Sequence, residues 1–224
     1  MPNLAIVGYG KMGRMIEQFA PEYGFSVALK HDLEPLQAAD FRGIDVAVEF
    51  TAPNAVRKNI ETISGFGINV VVGTTGWLAE MEAVKRAVER NGTGLIWSPN
   101  FSIGVNAFIR LVAEASRLLA SQSEYGAWAW EIHHATKKDT RSGTLLKLVD
   151  EMKRAGYERP VDVSSNRAGA VPGTHEIGFD SAADTITLRH TARSREGFAR
   201  GALRAAQWIV GKKGFYEFSE IVFT

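Results

Sequence analysis

Residues 131–144 bring together side chains that could transfer protons and bind an anion. The stretch reads EIHHATKKDTRSGT, so two imidazoles and two ammonium groups precede a Ser-Gly-Thr turn. An apolar-periodic segment follows, which predicts a helix that begins around Ser142, Gly143 and Thr144. The unpaired N–H groups of a helix N-terminus favour an anion, and Lys137 adds a full positive charge just upstream. We therefore interpret the stretch as a cradle for a carboxylate or phosphate.

The paired histidines leave two interpretations open. Neighbouring residues of an extended strand point to opposite faces, so His133 and His134 can face one ligand only where the strand ends. The chain has no cysteine and no carboxylate at a familiar ligand spacing, so no metal site is predicted. The competing interpretation is an ordinary strand-to-helix loop with solvated charges and a Ser/Thr N-cap.

A glycine-rich loop near the N-terminus predicts a dinucleotide site. An apolar run at residues 4–7 is followed directly by Gly8, Tyr9, Gly10, Lys11, Met12 and Gly13. A helical pattern comes next, and in this context Gly8 permits a tight turn, Gly10 admits a pyrophosphate and Gly13 permits close helix packing. The alternative is a glycine-rich turn that binds nothing.

The end of the second predicted strand, Phe25–Leu29, should meet the adenosine ribose of such a cofactor. Lys30 stands where a 2′-phosphate could be bound, whereas the acid that would bind a ribose hydroxyl, Asp32, comes two residues late. NADPH, or both NADPH and NADH, is therefore expected as the cofactor. Lys30 and His31 could instead be exposed side chains without a ligand.

Alternating strands and helices around these motifs predict an α/β fold with a Rossmann-type doubly wound parallel sheet. Further strands are predicted at residues 45–50, 69–72 and 95–97, a capped turn at 51–54 leads into a helix to about residue 64, and another helix covers 78–90. Residues 128–133, 161–164, 175–179 and 185–190 predict a smaller α+β domain with a mixed or antiparallel sheet, which includes a hairpin. The domains are predicted as residues 1–104 with 193–224, and residues 105–192.

Composition excludes several classes of protein. With 26 Lys+Arg against 25 Asp+Glu, the chain has no charge excess that would suggest nucleic acid or an anionic membrane as a partner. The absence of cysteine excludes disulfides and thiolate chemistry. No apolar run approaches the roughly 18 residues of a membrane helix, and no leader pattern stands at the start. A cytoplasmic protein is expected.

Together these motifs resemble the dihydrodipicolinate reductases, the NAD(P)H-dependent enzymes of diaminopimelate and lysine biosynthesis. The resemblance covers most of the chain, and its most specific part is the spacing within residues 131–144. Other matching segments are 8–14, 73–76, 100–106, 167–175 and 190–208. The resemblance implies reduction of 4-hydroxy-tetrahydrodipicolinate to tetrahydrodipicolinate by a homotetramer whose substrate is a small dicarboxylate.

The resemblance also implies roles for individual residues. His133 would be the acid/base residue and Lys137 a second proton donor. The residues implied in binding the substrate are His134, Arg141, Ser142, Gly143 and Thr144. The residues implied in binding the cofactor are Gly8, Tyr9, Gly10, Lys11, Met12, Gly13, Lys30, His31, Phe50, Gly73, Thr74, Thr75, Ser98, Pro99, Asn100 and Phe101.

The chain departs from the family pattern at two places near the expected site. Arg141 replaces a proline directly before the Ser-Gly-Thr turn, and Ala52 stands where an arginine is common. Two other functions therefore stay open. One is reduction of a different carboxylated cyclic imine or enamine, and the other is nucleotide sensing without catalysis. The retained His133 and Lys137 argue against a sensor, because a sensor needs no proton donor.

Overall fold

A computed structural model describes residues 1–32 and 34–224, which form two compact units. The first unit comprises residues 1–102 and 196–224, and the second comprises residues 103–195. Among the described residues, none of the helices has the length and apolar content required to cross a bilayer. The assignment of nucleotide binding to residues 1–104 with 193–224, and of substrate binding to 105–192, stays a prediction.

The first unit is a parallel six-stranded sheet with helices on its faces. Its strands are β1 Asn3–Val7, β2 Ser26–His31, β3 Val46–Glu49, β4 Asn69–Val72, β5 Gly94–Trp97 and β10 Gly214–Glu217. Its helices are α1 Lys11–Phe19, α2 Val56–Gly65, α3 Met81–Arg90, α6 Glu196–Ile209 and α7 Phe218–Ile221. The strand order is β10-β5-β4-β3-β1-β2. The predicted doubly wound parallel sheet is confirmed.

Apart from Glu49 and Asn69, the central strands β3 and β4 are apolar, because helices cover both faces of the sheet. β3 and β4 are buried throughout. The side chains of α2 and α3 form one apolar core with β1, β3, β4 and β5, while α6 contacts β3, β4 and β5 and packs on α1. With both faces covered, only the carboxyl ends of the strands and the loops that follow them are available to a ligand.

Two predictions about this unit were wrong in detail, and one strand was not predicted. β2 extends to His31, so Lys30 and His31 belong to the strand itself. Helix α2 begins only at Val56, and its N-cap, Ala55, makes no side-chain cap hydrogen bond. Within the predicted turn, the hydroxyl of Thr51 donates to Glu49. Strand β10 was not predicted, because four residues are too few to show a hydrophobic period. Their strand conformation depends on pairing with β5.

The second unit packs two helices on one face of a mixed four-stranded sheet. Its elements are α4 Ile103–Leu119, β6 Gly126–His133, α5 Gly143–Arg154, β7 Val161–Arg167, β8 Thr174–Asp180 and β9 Thr185–Thr191. The strand order is β7-β6-β8-β9, with β6 parallel to β7 and antiparallel to β8. The predicted hairpin is confirmed as the antiparallel pair of β8 and β9. Apolar residues of α4 and α5 form a core with β6 and β8.

Strand β6 positions Glu131 and His133, because successive side chains of a strand alternate between the two faces of the sheet. Ala129, Glu131 and His133 are buried, whereas Trp128 and Trp130 on the opposite face are half-buried. Since side chains alternate with period two, Glu131 and His133 share one face of the sheet. The strand therefore places a carboxylate beside an imidazole on the side of the sheet where α5 packs.

Helix α6 approaches the loop after β5 so closely that residue 201 must be glycine. A Cβ on Gly201 would lie 1.7 Å from the carbonyl oxygen of Phe101, whereas a Cβ on Gly197 would lie 3.5 Å from Ser102 Oγ, an ordinary contact. We predict that Gly201→Ala lowers the free energy of unfolding in urea by about 1–3 kcal/mol, because backbone must move. Gly197→Ala, in the same helix, should leave stability unchanged or raise it by up to about 1 kcal/mol. Equal stabilities for the two variants would contradict this account.

Candidate functional site

The glycine loop of the first unit opens onto a cavity of about 470 Å³ at the carboxyl ends of β1, β2 and β3. Its lining includes Gly8, Gly10, His31, Phe50 and Ala52. The strand order reverses at β1, with β2 on one side and β3 on the other. In open α/β sheets, ligands bind at this reversal, outside the carboxyl ends of the strands. The cavity thus lies where a nucleotide is expected.

The three glycines of the loop meet different constraints. Gly8 has φ 94°, and a Cβ there would lie 2.2 Å from the carbonyl oxygen of Phe50. A Cβ on Gly13 would lie 2.4 Å from the carbonyl oxygen of Gly8, so helix α1 packs tightly under the turn. Around Gly10, no described heavy atom lies within 4 Å of the corresponding position. The loop is therefore closed at its first and third glycines and open at the second, which fits a pyrophosphate.

Phe50 holds the loops after β3 and β4 together. A Cβ on Gly73 would lie 2.1 Å from the Phe50 ring. The Thr51 N–H donates to Thr74 Oγ1 at 2.7 Å, and the rings of Phe50 and Phe101 are 6.2 Å apart. Loops that follow three adjacent strands are thus brought into one surface, as the predicted cofactor residues require.

The remaining predicted cofactor residues are placed as follows. Thr75 and Pro99 are exposed, Asn100 is half-buried and Ser98 is buried. Ser98 Oγ donates to the carbonyl of Asn100 at 2.8 Å, which closes the turn after β5. At the start of α1, the side chain of Lys11 is exposed and that of Met12 is half-buried.

Lys30, the cation predicted to meet a 2′-phosphate, is paired with a carboxylate. Its Nζ lies 3.0 Å from Glu17 Oε1, and the hydroxyl of Tyr9 donates to the same carboxylate. Hydrogen bonds from Tyr9 and Lys30 lower the pKa of Glu17. Lys30 Nζ also lies 5.3 Å from the centroid of the Tyr9 ring. Sequence analysis missed Glu17, which neutralises Lys30 from helix α1.

In the second unit, the Glu131 carboxylate is fully buried and densely hydrogen-bonded. Its Oε1 accepts from the Ser142 N–H at 2.9 Å, from Ser165 Oγ at 2.8 Å and from Arg167 Nη2 at 2.9 Å. The Ser142 hydroxyl donates to Oε2. Burial alone would raise the pKa of Glu131, but the hydrogen bonds from Ser142, Arg167 and Ser165 outweigh it and lower the pKa to about 2. Glu131 is therefore an anion at neutral pH.

Two buried imidazoles face this carboxylate. His133 Nδ1 lies 3.5 Å and His175 Nε2 lies 3.3 Å from Glu131 Oε2. The two rings are edge to face, with centroids 5.1 Å apart. Burial lowers the pKa of both histidines, and that of His175 falls to about 4. At neutral pH, without a further anion, both rings are neutral.

His134 follows the last residue of β6 and makes a hydrogen bond outside this cluster. Its Nδ1 is 2.7 Å from Thr136 Oγ1, and its side chain is half-buried. The ligand atoms of Glu131, His133 and His175 lie within 4.8 Å of one another, a spacing that could hold a metal ion. Arg167 already places a positive charge 2.9 Å from the same carboxylate, which opposes a cation. We therefore interpret the three residues as a buried cluster of one carboxylate and two imidazoles rather than as a metal site.

The helix predicted to begin around Ser142 is confirmed as α5, whereas its role as an anion cradle stays a prediction. Ser142 is the N-cap, and its Oγ accepts the N–H of Leu145 at 3.1 Å. Because both donors of Ser142 point to Glu131, an external anion would be bound further along the helix. Gly143 is exposed, and no described heavy atom lies within 4 Å of where its Cβ would be. Thr144, the next residue, is half-buried.

The two flanking cations differ in their surroundings. Lys137 Nζ lies 2.9 Å from Asp139 Oδ1, and the Lys137 side chain is 26% exposed. Arg141 is exposed and lines a separate cavity of about 540 Å³, formed with residues of α5 and β7. Its predicted contact with the substrate stays a prediction.

Sequence analysis assigned no role to Glu131 or His175. The period-two spacing of Glu131 and His133 could have revealed their shared face. His175 could not have been found in this way, because it reaches Glu131 only through the antiparallel register of β6 and β8. Arg167 is likewise brought in through the parallel register of β6 and β7.

Comparisons with known proteins agree along the whole chain. Family models described as "Dihydrodipicolinate reductase, N-terminus" and "Dihydrodipicolinate reductase, C-terminus" match residues 22–101 and 104–222. A 4-hydroxy-tetrahydrodipicolinate reductase of Christiangramia forsetii is 34% identical over 98% of this chain and 97% of its own length. One of Methanosarcina mazei is 32% identical over 99% of this chain and 89% of its own.

The fold has a close structural counterpart. A dipicolinate-bound dihydrodipicolinate reductase from Paenisporosarcina sp. TG-14 superposes with a TM-score of 0.83 over 99% of each chain, at 20% identity. At that identity the similarity supports the fold alone. It agrees with a six-stranded parallel sheet combined with a second, mixed sheet.

The Glu17–Lys30 pair leads to a prediction about cofactor preference. Glu17→Gln should release Lys30 and increase the affinity for NADPH relative to NADH by about fivefold, the size expected from an exposed ion pair. Fluorescence titration with each reduced nucleotide gives the two dissociation constants. Glu22→Gln is the matched control, because Glu22 pairs with Arg200 and the variant loses the same charge from the same unit. An unchanged affinity ratio in Glu17→Gln would refute a role for this pair.

Proposed function

The chain belongs to the dihydrodipicolinate reductase family, and from that premise we propose that it reduces 4-hydroxy-tetrahydrodipicolinate to tetrahydrodipicolinate with NADPH or NADH. This reaction belongs to diaminopimelate and lysine biosynthesis. The observation that carries the proposal is the buried cluster in which His133 and the N-cap of α5 share one carboxylate, Glu131. A group that exchanges protons and a site for an anion are thereby combined in one unit.

The chain's own residues account for substrate binding and proton transfer. The residues around the 470 Å³ cavity would hold the cofactor, which when bound supplies a hydride. His133 would exchange a proton with the substrate, and Lys137 would be a second donor and a carboxylate partner. The exposed first turn of α5 at Gly143 and Thr144, with His134 and Arg141, would bind the two carboxylates. A bound dianion would favour the imidazolium form of His133 by its charge.

We also propose that the protein is a homotetramer in the cytoplasm. Support for self-association comes from the face of the second sheet that carries Trp128 and Trp130, opposite to the face on which the helices pack. A Cβ on Gly178 would lie 2.1 Å from the Trp128 ring, so this glycine lets the ring lie flat on the sheet. A flat aromatic surface of this kind is typical of an interface between subunits.

One observation favours a different substrate. Arg141 and Ala52 depart from the family pattern, and they lie beside the 540 Å³ and 470 Å³ cavities respectively. A related reductase of another carboxylated cyclic imine or enamine would use the same proton donors. Comparison of kcat/KM between candidate acids would separate the two substrates.

The direct test is oxidation of NADPH and of NADH with freshly generated 4-hydroxy-tetrahydrodipicolinate, followed by the absorbance of the reduced nicotinamide. Wild-type protein and Arg141→Pro should both turn over this substrate. Intact cofactor binding without turnover, with activity gained in Arg141→Pro, would assign the fold to another substrate. Cofactor binding without turnover on any cyclic dicarboxylate would favour a nucleotide sensor.

Lys137 offers a sharper test of the proposed chemistry. Lys137→Ala should lower kcat by about a hundredfold, because a proton donor is lost, while the dissociation constant of the cofactor stays unchanged. Lys138→Ala is the control, since Lys138 is the exposed neighbour with the same charge. Wild-type kcat in Lys137→Ala would remove Lys137 from the mechanism.

A further inference from the structure

The two oxygens of Glu131 have different surroundings. Oε1 is held by three donors, the Ser142 N–H, Ser165 Oγ and Arg167 Nη2. Oε2 accepts the Ser142 hydroxyl and faces His133 Nδ1 and His175 Nε2. The carboxylate is therefore fixed in place by one oxygen, while the other is directed at the proposed proton donor.

We propose that Glu131 is a positioning residue for the reduction, which keeps a proton on Nδ1 of His133 so that Nε2 exchanges the proton with the substrate. The proposal rests on the proposed function, because it takes His133 as the acid/base residue. Glu131 does not touch the substrate in this account and acts through His133 and Ser142.

The atoms around His133 support this orientation of the ring. Nδ1 is buried and has no hydrogen-bond partner among the described residues, and Glu131 Oε2 at 3.5 Å is the acceptor that it faces. Catalytic hydrogen bonds are often long without ligand and shorten in the complex. At the other end of the ring, a Cβ on Gly173 would lie 2.9 Å from Nε2. With φ 151°, Gly173 also has a backbone conformation that favours glycine, and it leaves space at Nε2.

The same carboxylate also positions the anion cradle. Ser142 gives both of its donors to Glu131 and caps α5 by accepting the Leu145 N–H. His175 Nε2 lies 3.0 Å from Ser142 Oγ and completes the cluster. The geometry of the first turn of α5 and the protonation of His133 thus depend on one charged group.

The charged groups that act on His133 lie on its own strand, on β7 and in the loop after β6. Burial lowers its pKa most, and Lys137 and Arg167 lower it further, whereas Glu131 and Asp139 raise it. His175 packs edge to face on the ring, and His190 of β9 pairs with His175 across the strands. Glu131 is the largest influence that favours the imidazolium. Removal of its charge must lower the pKa of His133, so the protonated donor would be lost at a lower pH.

The experiment compares the pH dependence of kcat and KM for wild type, Glu131→Gln and Glu131→Asp. Glu131→Gln should lower kcat at neutral pH by about tenfold or more and move the descending limb of the kcat profile to lower pH. Glu131→Asp should restore that limb in part, and the cofactor dissociation constant should not change. Glu176→Gln is the control, because it removes the same charge from the neighbouring strand β8, where Glu176 pairs with Arg189.

If the descending limb of the kcat profile of Glu131→Gln lies at the same pH as in wild type, the proposal is overturned, whatever the change in stability. Failure of the wild type to turn over the substrate would instead contradict the proposed function. Should Glu131→Gln not fold, the tautomer of His133 decides the question in wild-type protein. NMR of ¹⁵N-histidine-labelled protein, assigned by comparison with His133→Gln, should show the proton on Nδ1. A proton on Nε2 in the neutral ring would overturn the proposal.

Discussion

The second unit depends on one constraint, the burial of a charged carboxylate at Glu131. A lone buried carboxylate costs several kcal/mol, and this cost is offset only when good hydrogen bonds surround the charge. Ser142, Ser165 and Arg167 supply them, and these residues come from the start of α5 and from β7. The requirement to satisfy Glu131 therefore fixes the position of the helix that forms the anion cradle. It also fixes the strand next to the proposed proton donor.

The first unit depends on a different constraint, the close approach of backbone segments around the expected ligand site. Its parallel sheet is covered on both faces, so the loops at the carboxyl ends are the remaining binding surface. Gly8 and Gly13 allow these loops to pack against one another, and Phe50 fills the space beside Gly73. The constraint on these glycines is steric, whereas the constraint on Glu131 in the second unit is electrostatic. In the proposed function, the first unit would supply a nucleotide crevice, and the second would supply an acid/base group beside an anion cradle.

Most features whose residues lie close together in the chain were predicted, whereas contacts between residues far apart in the chain were missed. The glycine loop and the N-cap Ser142 were predicted because each is determined within a few residues, by turn geometry and by capping. Glu17 was missed because it reaches Lys30 from another element, across the Tyr9 ring. The expected cap at residues 51–54 was wrong because the helix begins only at Val56 and its N-cap residue, Ala55, has no side-chain oxygen to accept an N–H.

The amino-acid sequence by itself determined the alternation of strands and helices, the glycine-rich loop and the spacing of His133, Lys137 and Ser142, and these motifs carry the resemblance to the family. These features depend on local periodicity and on short motifs. Only the tertiary structure decided that His175 and Arg167 join Glu131, and that β10 extends the first sheet beside β5. Strand register places residues side by side that are far apart in the chain, and no local pattern encodes it. The surroundings of the proposed proton donor, His133, depend in part on that register, because Arg167 of β7 lowers its pKa and His175 of β8 packs against its ring.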